Sequence, residues 1–268
     1  MEFYANVIQV EFSIQKLKNY LPNFYNDILP KDLMGKSWQE IDKCSNCIMA
    51  CGDKPSYSEK NKCCTYYPFI PNFMLGNILH NNKKVAPQIL SYIQAKQYVL
   101  PIGFCAPESY QFKSRDENNI GFGKDESLLC PFYDRGACNI WDQRNSECIS
   151  FQCYSSYGET GLKFWQVLGD LIYELELHIS KAMMKEHGFP ESDINGSIKY
   201  INYKQFSKMR EDKSTLSTEE WAKHWVNHSE DVAQYFISCY KKSLQLDLKE
   251  FALGLPDYIK LNELANTI

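Results

Sequence analysis

The chain has little excess positive charge and few histidines, and each shortage excludes a class of function. Its 29 Lys and Arg are outnumbered by 33 Asp and Glu, which gives a formal net charge of −4. Nucleic-acid binding relies on clustered Lys and Arg, so nucleic acid is excluded as a partner. None of the five histidines lies in an HExxH sequence, the helical zinc motif of metalloproteases. His224 and His228 are spaced to share an ion, but such pairs on amphipathic helices are usually surface or packing residues.

Long apolar runs are also absent. No segment approaches the ~18 consecutive apolar residues of a membrane span, so no membrane partner is expected. The N-terminal sequence MEFYANVI lacks the basic start and the unbroken apolar stretch of a secretion signal. We therefore expect a cytoplasmic protein, in which a reducing environment keeps thiols free.

Cysteine is the most informative residue type that the chain does contain. Eight of its eleven cysteines form two groups, Cys44, Cys47, Cys63 and Cys64 in the first and Cys130, Cys138, Cys148 and Cys153 in the second. Soft thiolates are the ligands that hold zinc, copper(I) and iron–sulfur clusters, so the two groups predict bound metal. Disulfides are the alternative, although an odd number of cysteines leaves at least one unpaired.

The spacing within the two groups leaves the ligand sets open. Cys44 and Cys47 form a CxxC, which a tight turn can aim at one ion. A thioredoxin-like redox motif requires a strand before its CxxC, and the sequence predicts none here. Cys63 and Cys64 are adjacent, so they can serve one site only through a turn. The downstream four are spaced more loosely than in a zinc ribbon. Spacing alone therefore does not assign these cysteines to shared ions.

Together the cysteines and their neighbours form a pattern with a known counterpart. Its residues are Cys44-Ser45-Asn46-Cys47, Cys63-Cys64, Cys130-Pro131-Phe132-Tyr133, Gly136, Cys138-Asn139-Ile140-Trp141, Arg144, Cys148, Phe151 and Cys153. The pattern resembles the YkgJ-type cysteine-cluster family, described as zinc- or iron-chelating proteins of the CxxCxxCC type. The resemblance covers about residues 44–153. It departs upstream, where fifteen residues separate Cys47 from Cys63 and the family usually has two.

The resemblance implies metal held by the eight grouped cysteines, with Cys51 and Cys105 left open as further ligands. A cysteine-cluster domain of this kind also occurs in flagellin lysine methylases, so the resemblance permits an enzyme without requiring one. Iron–sulfur clusters are preferred to zinc as the cofactor. Eight thiolates around two zinc ions would leave a large excess of negative charge, whereas an iron–sulfur core spreads its charge and tolerates irregular spacing.

Arg144, between Cys138 and Cys148, is the candidate residue for contact with the cofactor. A guanidinium could donate to thiolate sulfurs or to an adjacent carbonyl, and its charge would offset part of the negative charge of the cluster. A salt bridge with Asp142 or Glu147 is the alternative.

Hydrophobic periodicity predicts a mainly α protein in which helices clasp an irregular, metal-stapled, cysteine-rich core. Helices are predicted over residues 72–79, from Ala86 onwards, and between residues 161 and 188. In the last of these, apolar residues from Trp165 through Ile172 to Met183 recur three or four apart, which puts them in one stripe. A further helical block begins at Ser217, which has the spacing of a capping box with Glu220.

For three parts of the chain the sequence leaves the secondary structure open. The block after Ser217 has a candidate break at residues 229–231. The first 43 residues suggest a short helix or two. Residues 244–248 alternate apolar and polar side chains, which fits a strand or a helix equally well.

The sequence predicts a metal-binding protein with a structural, sensory or electron-transfer role. Residues 1–160 would form the cysteine-cluster part with its N-terminal helices, and residues 161–268 a helical region packed on it as one unit. The alternative is a protein- or peptide-modifying enzyme, a methyltransferase or oxidoreductase, with an accessory cluster and a pocket against the helices after residue 160. No catalytic residue is identified, and a protein or peptide partner is left open.

Overall fold

The computed structural model describes residues 12–26, 37–41, 47–50, 53–114, 121–153, 155, 157–201, 212–225, 228 and 231–266. Helices dominate this part of the chain, which confirms the predicted mainly α class. Its few strands are short and form small separate sheets. The sequence also predicts that bound metal holds the cysteine-rich core together, and this part of the prediction belongs to the proposed function.

The N-terminal part differs from its prediction, because it pairs two strands. Strand β1 (Phe12–Lys16) runs antiparallel to β2 (Ser37–Ile41), with Phe12 opposite Ile41 and Lys16 opposite Ser37. Only a short helix α1 (Leu17–Tyr20) and a 3-10 turn (Asn23–Tyr25) represent the expected helices in the described part. Strand pairing depends on a partner distant in sequence, which local periodicity does not reveal. Strand β2 also places a strand before Cys44 in the sequence, where none was predicted.

The middle of the chain builds a compact unit of helices around a three-stranded sheet. Its elements are β3 (Ile70–Pro71), α2 (Asn72–Asn81), α3 (Ala86–Gln94), β4 (Val99–Leu100), β5 (Gly103–Phe104) and α4 (Glu108–Lys113). Strand β5 is central and pairs antiparallel with both neighbours. The predictions for α2 and α3 are confirmed. Pro87 lies in the first turn of α3, where its missing N–H costs no hydrogen bond.

The cysteine-bearing segments contain little regular structure. They comprise 3-10 turns at Ile48–Ala50, Glu126–Leu128 and Trp141–Gln143, a hairpin of β6 (Tyr133–Asp134) and β7 (Ala137–Cys138), and the short helix α5 (Ser146–Ser150). Residues 121–124 form a turn around Gly121 and Gly123, as their sequence indicates.

In the described residues of the C-terminal part, the regular secondary structure is all helix, with turns and irregular segments between the helices. Its elements are α6 (Gly158–Glu186), α7 (Glu191–Ile198), α8 (Thr218–Trp225), α9 (Val232–Ser243), α10 (Leu248–Leu253) and α11 (Pro256–Ala265). Ser217 and Glu220 form the predicted capping box, because each side chain accepts from the backbone N–H of the other. Within the described residues no helix has both the length and the apolarity needed to cross a bilayer.

The structure also answers the two questions that the sequence left open in this part, the break in the helical block and the conformation of residues 244–248. The helical block divides, since α8 ends at Trp225 and α9 begins at Val232. Residues 244–248 are not a strand, although they alternate in polarity. They form a turn that leads into α10. In this turn the backbone N–H groups of Gln245 and Leu246 donate to carbonyls of Lys242 and Ser243 in the last turn of α9.

The core forms where one face of α6 meets the helices before and after it. The predicted stripe of α6, from Trp165 through Ile172 to Met183, is fully buried or nearly so. The amide of Asn72, at the start of α2, donates to the Pro101 and Ser180 carbonyls at 3.1 and 3.0 Å and thereby ties α2 to α6. Elements from both predicted parts of the chain therefore share this core.

Helices α2 and α9 approach closely at Gly76. A Cβ on this residue would lie 1.9 Å from the carbonyl oxygen of Phe236 and 2.9 Å from the Cβ of Tyr240. The contact involves backbone, so it cannot be relieved by a change of rotamer. Glycine is therefore required here by the distance between the two helices.

We expect Gly76→Ala to lower the free energy of unfolding by about 2–3 kcal/mol, because the added methyl group overpacks the contact between α2 and α9. Gly196→Ala is the matched control. It lies in α7 with no atom within 4 Å of the new Cβ, and it should gain about 0.5–1 kcal/mol from helix propensity. Urea unfolding measures both changes, and equal stabilities for the two variants would contradict the close approach.

Candidate metal centre

Seven of the eight grouped cysteines lie in described residues, and Cys44 and Cys51 lie outside them. The seven occupy turns, hairpin and short helix rather than one regular element. The nine cysteines of the described part include Cys105 and Cys239, and no disulfide is found among these nine. Cys105 and Cys239 are buried in the hydrophobic core.

The two cysteine groups meet in space. The backbone N–H of Cys130 donates to the carbonyl of Cys64 at 2.7 Å, so the second group begins beside the end of the first. Close by, the Tyr110 hydroxyl donates to the Thr65 carbonyl at 3.1 Å. Hydrogen bonds to the backbone carbonyls of Cys64 and Thr65 thus hold together segments that are far apart in sequence.

Cys130, Cys138 and Cys148 form one neighbourhood of thiols. Burial raises the pKa of Cys130 to about 12, and the charge of Cys138 adds to the increase. Burial also raises the pKa of Cys148 far above its usual value, with further contributions from Cys130 and Cys138. The three side chains are therefore close enough to repel one another as thiolates, and a cation among them would reverse this pKa shift.

Tyr57 marks a second neighbourhood, which draws on both groups. Its hydroxyl shares a hydrogen bond with the Cys153 thiol, and its pKa is raised by burial and then by the nearby Cys153, Cys63 and Cys47. The ring packs so closely on Gly123 that a Cβ there would lie 2.1 Å from it. Tyr57 belongs to the insertion between Cys47 and Cys63, and its role was not found from the sequence.

The adjacent pair Cys63 and Cys64 lies in a turn, which is the arrangement that lets both serve one site. The backbone before them enters the left-handed region at Lys62, with φ of 51°. The Cys64 thiol is the largest cause of the raised pKa of Cys63, followed by burial, so the two side chains lie close together.

The donor type suits a soft metal, but a closed ligand shell is not formed. In the part of the chain that the structure describes, no three His, Cys, Asp or Glu side chains are placed to hold one ion. The eight predicted metal ligands stay predictions, because the thiols would have to move together on binding. His224 and His228 do not face a common ion either. His224 contacts the Tyr200 hydroxyl at 3.1 Å, and His228 the His187 carbonyl at 2.9 Å.

Arg144 is buried beside the second group and binds carbonyls rather than carboxylates. Its Nε donates to the Trp141 carbonyl at 2.9 Å, and its Nη2 to the Tyr20 carbonyl at 2.7 Å. The guanidinium carbon lies 3.5 Å from the centroid of the Trp141 ring, a stacked cation–π geometry. Its charge also lowers the pKa of Cys148, although burial and neighbouring thiols outweigh this effect.

A buried carboxylate on α6 anchors the helix that carries Cys148. Glu176 is fully buried and accepts from the Ser146 N–H at 2.8 Å, the Ser146 hydroxyl at 2.7 Å and the Tyr25 hydroxyl at 2.6 Å. Burial raises its pKa to about 7, although the hydrogen bonds from Tyr25 and Ser146 act in the opposite direction. The sequence offered a signal that was missed, a carboxylate four residues after Ile172 on the apolar stripe.

Comparisons of the chain with protein families, curated proteins and solved structures found no match. The resemblance to the YkgJ-type family therefore stays a prediction from the cysteine pattern.

We expect Glu176→Gln to remove a pH dependence of stability. The folded-state pKa of about 7 lies above the ordinary value of 4.5, so folding favours the protonated carboxyl. Its contribution is fully present below pH 4.5 and is lost as the pH rises through 7, a change on the order of 3 kcal/mol. The glutamine amide can keep the contacts with Tyr25 and Ser146 without ionising.

Urea unfolding of both proteins from acidic to slightly alkaline pH measures this effect. The wild-type protein should lose free energy of unfolding relative to the variant as the pH rises. A relative gain, or parallel curves, would contradict the assignment to Glu176.

We expect Arg144→Met to weaken metal retention by about 10- to 100-fold, because the variant loses a positive charge and the two carbonyl contacts beside Cys148. Arg135→Met is the matched control, since Arg135 is an exposed cation on the turn before Cys138. Metal content after dialysis against a chelator measures retention. Unchanged metal content in Arg144→Met, or equal losses in both variants, would reject the role.

Proposed function

We propose that this protein binds metal through thiolates contributed by both cysteine groups. The observation that carries the proposal is the hydrogen bond from Cys130 to the Cys64 carbonyl, because it brings the two groups to one place. The ligands would be Cys44, Cys47, Cys63, Cys64, Cys130, Cys138, Cys148 and Cys153. The protein would act as a structural, sensory or electron-transferring metalloprotein.

The grouping of the thiols supports two sites rather than one. One site would use Cys130, Cys138 and Cys148, which lie close enough to shift one another's pKa. The other would form around Tyr57 from Cys47, Cys63 and Cys153. Because the described thiols do not yet enclose an ion, binding would draw these irregular segments together, as is usual where metal binding is coupled to folding.

Iron–sulfur clusters are the preferred cofactor, with zinc second. The thiols lie in a partly buried region where the buried cations Lys62 and Arg144 offset only part of the charge of eight thiolates, so charge spread over an iron–sulfur core is easier to accommodate than compact zinc tetrathiolates. When bound, a cluster would supply one-electron chemistry, and zinc would supply structural stability alone. Reduced thiols also require a reducing compartment, for which we propose the cytoplasm.

The test is metal and sulfide analysis of anaerobically purified protein together with the variant Cys130→Ser. We expect the wild-type protein to carry iron with sulfide and to absorb broadly in the visible range, and Cys130→Ser to lose most of both. Cys239→Ala is the control, since its sulfur is buried in α9 and packs in the hydrophobic core. Colourless protein with stoichiometric zinc would favour a structural site. Metal-free wild-type protein, or full retention in Cys130→Ser, would refute the proposal.

A further inference from the structure

A cleft of about 530 Å³ lies outside the cysteine groups, where α2 and α9 meet two turns and the segment before α10. Its described lining includes Phe24, Asn77, Asn81, Asp142, Tyr240 and Asp247. A space of this size suits a small molecule, since ligand pockets usually have about 300–1,000 Å³. The proposed metal function does not use this cleft.

The charge of the cleft excludes anionic ligands. It contains the carboxylates of Asp142 and Asp247, and none of its described lining residues is Lys, Arg or His. Lys242 of α9 is paired with Glu186 at 2.8 Å. A phosphate or carboxylate ligand would meet two carboxylates and no cation in the described lining, whereas a neutral or amine-bearing ligand would not be repelled.

Side-chain amides and hydroxyls give the cleft both donors and acceptors. The Asn81 amide nitrogen donates to Asn77 Oδ1 at 2.9 Å and to the Tyr240 hydroxyl oxygen at 3.1 Å. These contacts use both amide hydrogens of Asn81, so its carbonyl oxygen is oriented as an acceptor. The Asn77 amide and the Tyr240 hydroxyl hydrogen are left as donors. Alternating donors and acceptors of this kind match hydroxyl groups, each of which both donates and accepts.

An apolar part of the lining complements these polar groups. Phe24 is fixed by aromatic contacts with Tyr25 and Phe73, at centroid distances of 5.4 and 4.8 Å. Leu246 and Leu248 extend this surface and pack against the core. A rigid apolar surface next to neutral polar groups matches the C–H face of a sugar ring beside its hydroxyls.

We propose that the cleft between α2 and α9 binds a neutral or amine-bearing, hydroxyl-rich ligand of monosaccharide size. Asn81, Asn77 and Tyr240 contact the hydroxyl groups of the ligand, and Phe24 contacts its apolar face. Asp142 and Asp247 favour a ligand amine and repel a carboxylate. This site is independent of the cysteines, so metal loss and ligand binding can fail separately.

The test compares three ligands with one ring and different charge, glucosamine, glucose and glucuronate, by ligand-observed NMR and calorimetry at about pH 6.5, where a sugar amine is mostly protonated. We expect glucosamine to bind at least as tightly as glucose, and glucuronate about tenfold more weakly or not at all. Absence of saturable glucosamine and glucose binding up to about 10 mM would overturn the proposal. Tighter binding of glucuronate than of glucosamine would also overturn it.

Three variants separate the polar groups of the cleft from its charge. Asn81→Leu should weaken glucose binding by about fivefold or more, because it removes one acceptor and releases the donors that it positions. Asn195→Leu, an equally exposed change on α7, should leave binding unchanged. Asp142→Asn should weaken the preference for glucosamine over glucuronate. Binding that is equal in Asn81→Leu and the wild-type protein, or a preference that Asp142→Asn does not change, would overturn the assignment of these residues.

Discussion

The buried carboxylate of Glu176 is the interaction on which the cysteine region depends. It lies on the apolar face of α6 and accepts hydrogen bonds from Ser146, at the start of the helix that carries Cys148, and from Tyr25, in the N-terminal part. Burial of a carboxylate costs free energy unless its oxygens accept hydrogen bonds. The hydrogen bonds from Tyr25 and Ser146 therefore stabilise Glu176 in its buried position. The long helix thereby fixes a segment that has little regular structure of its own.

Around this anchor, the cysteine region is held by backbone hydrogen bonds and stacked rings rather than by an extended sheet. Arg144 donates hydrogen bonds to the carbonyls of Tyr20 and Trp141, and its guanidinium lies over the Trp141 indole ring. Tyr57 places a hydroxyl beside thiols from both cysteine groups. Such an arrangement brings soft donors near one another without closing a metal shell, as expected where ligand ordering and metal binding are coupled.

The turn Trp141–Gln143 connects the two functional regions that we propose. Asp142 and Gln143 line the cleft, and Trp141 stacks on Arg144 beside the cysteines. A smaller cleft of about 470 Å³ shares Asn81, Asp142 and Gln143 with the first and extends to Lys83 and Cys138. One short turn therefore contributes residues to both regions.

The sequence by itself determined the helices whose partners lie within one or two turns. The stripe of α6, Pro87 in the first turn of α3 and the capping box at Ser217 are local patterns, and each is found where it was predicted. The sequence also predicts a soft metal from its eight grouped thiols, and this prediction stays part of the proposal.

Only the tertiary structure decided which residues meet. The pairing of β1 with β2, the contact between Cys130 and Cys64, the burial of Glu176 and the five-segment cleft all join residues distant in sequence. Residues 244–248 show the same limit, because their alternation of polarity is overridden by the turn that α9 and α10 require. Local sequence patterns depend only on residues that are close along the chain, so they predict single helices and turns. These features arise instead from the packing of separate elements against α6 and α9.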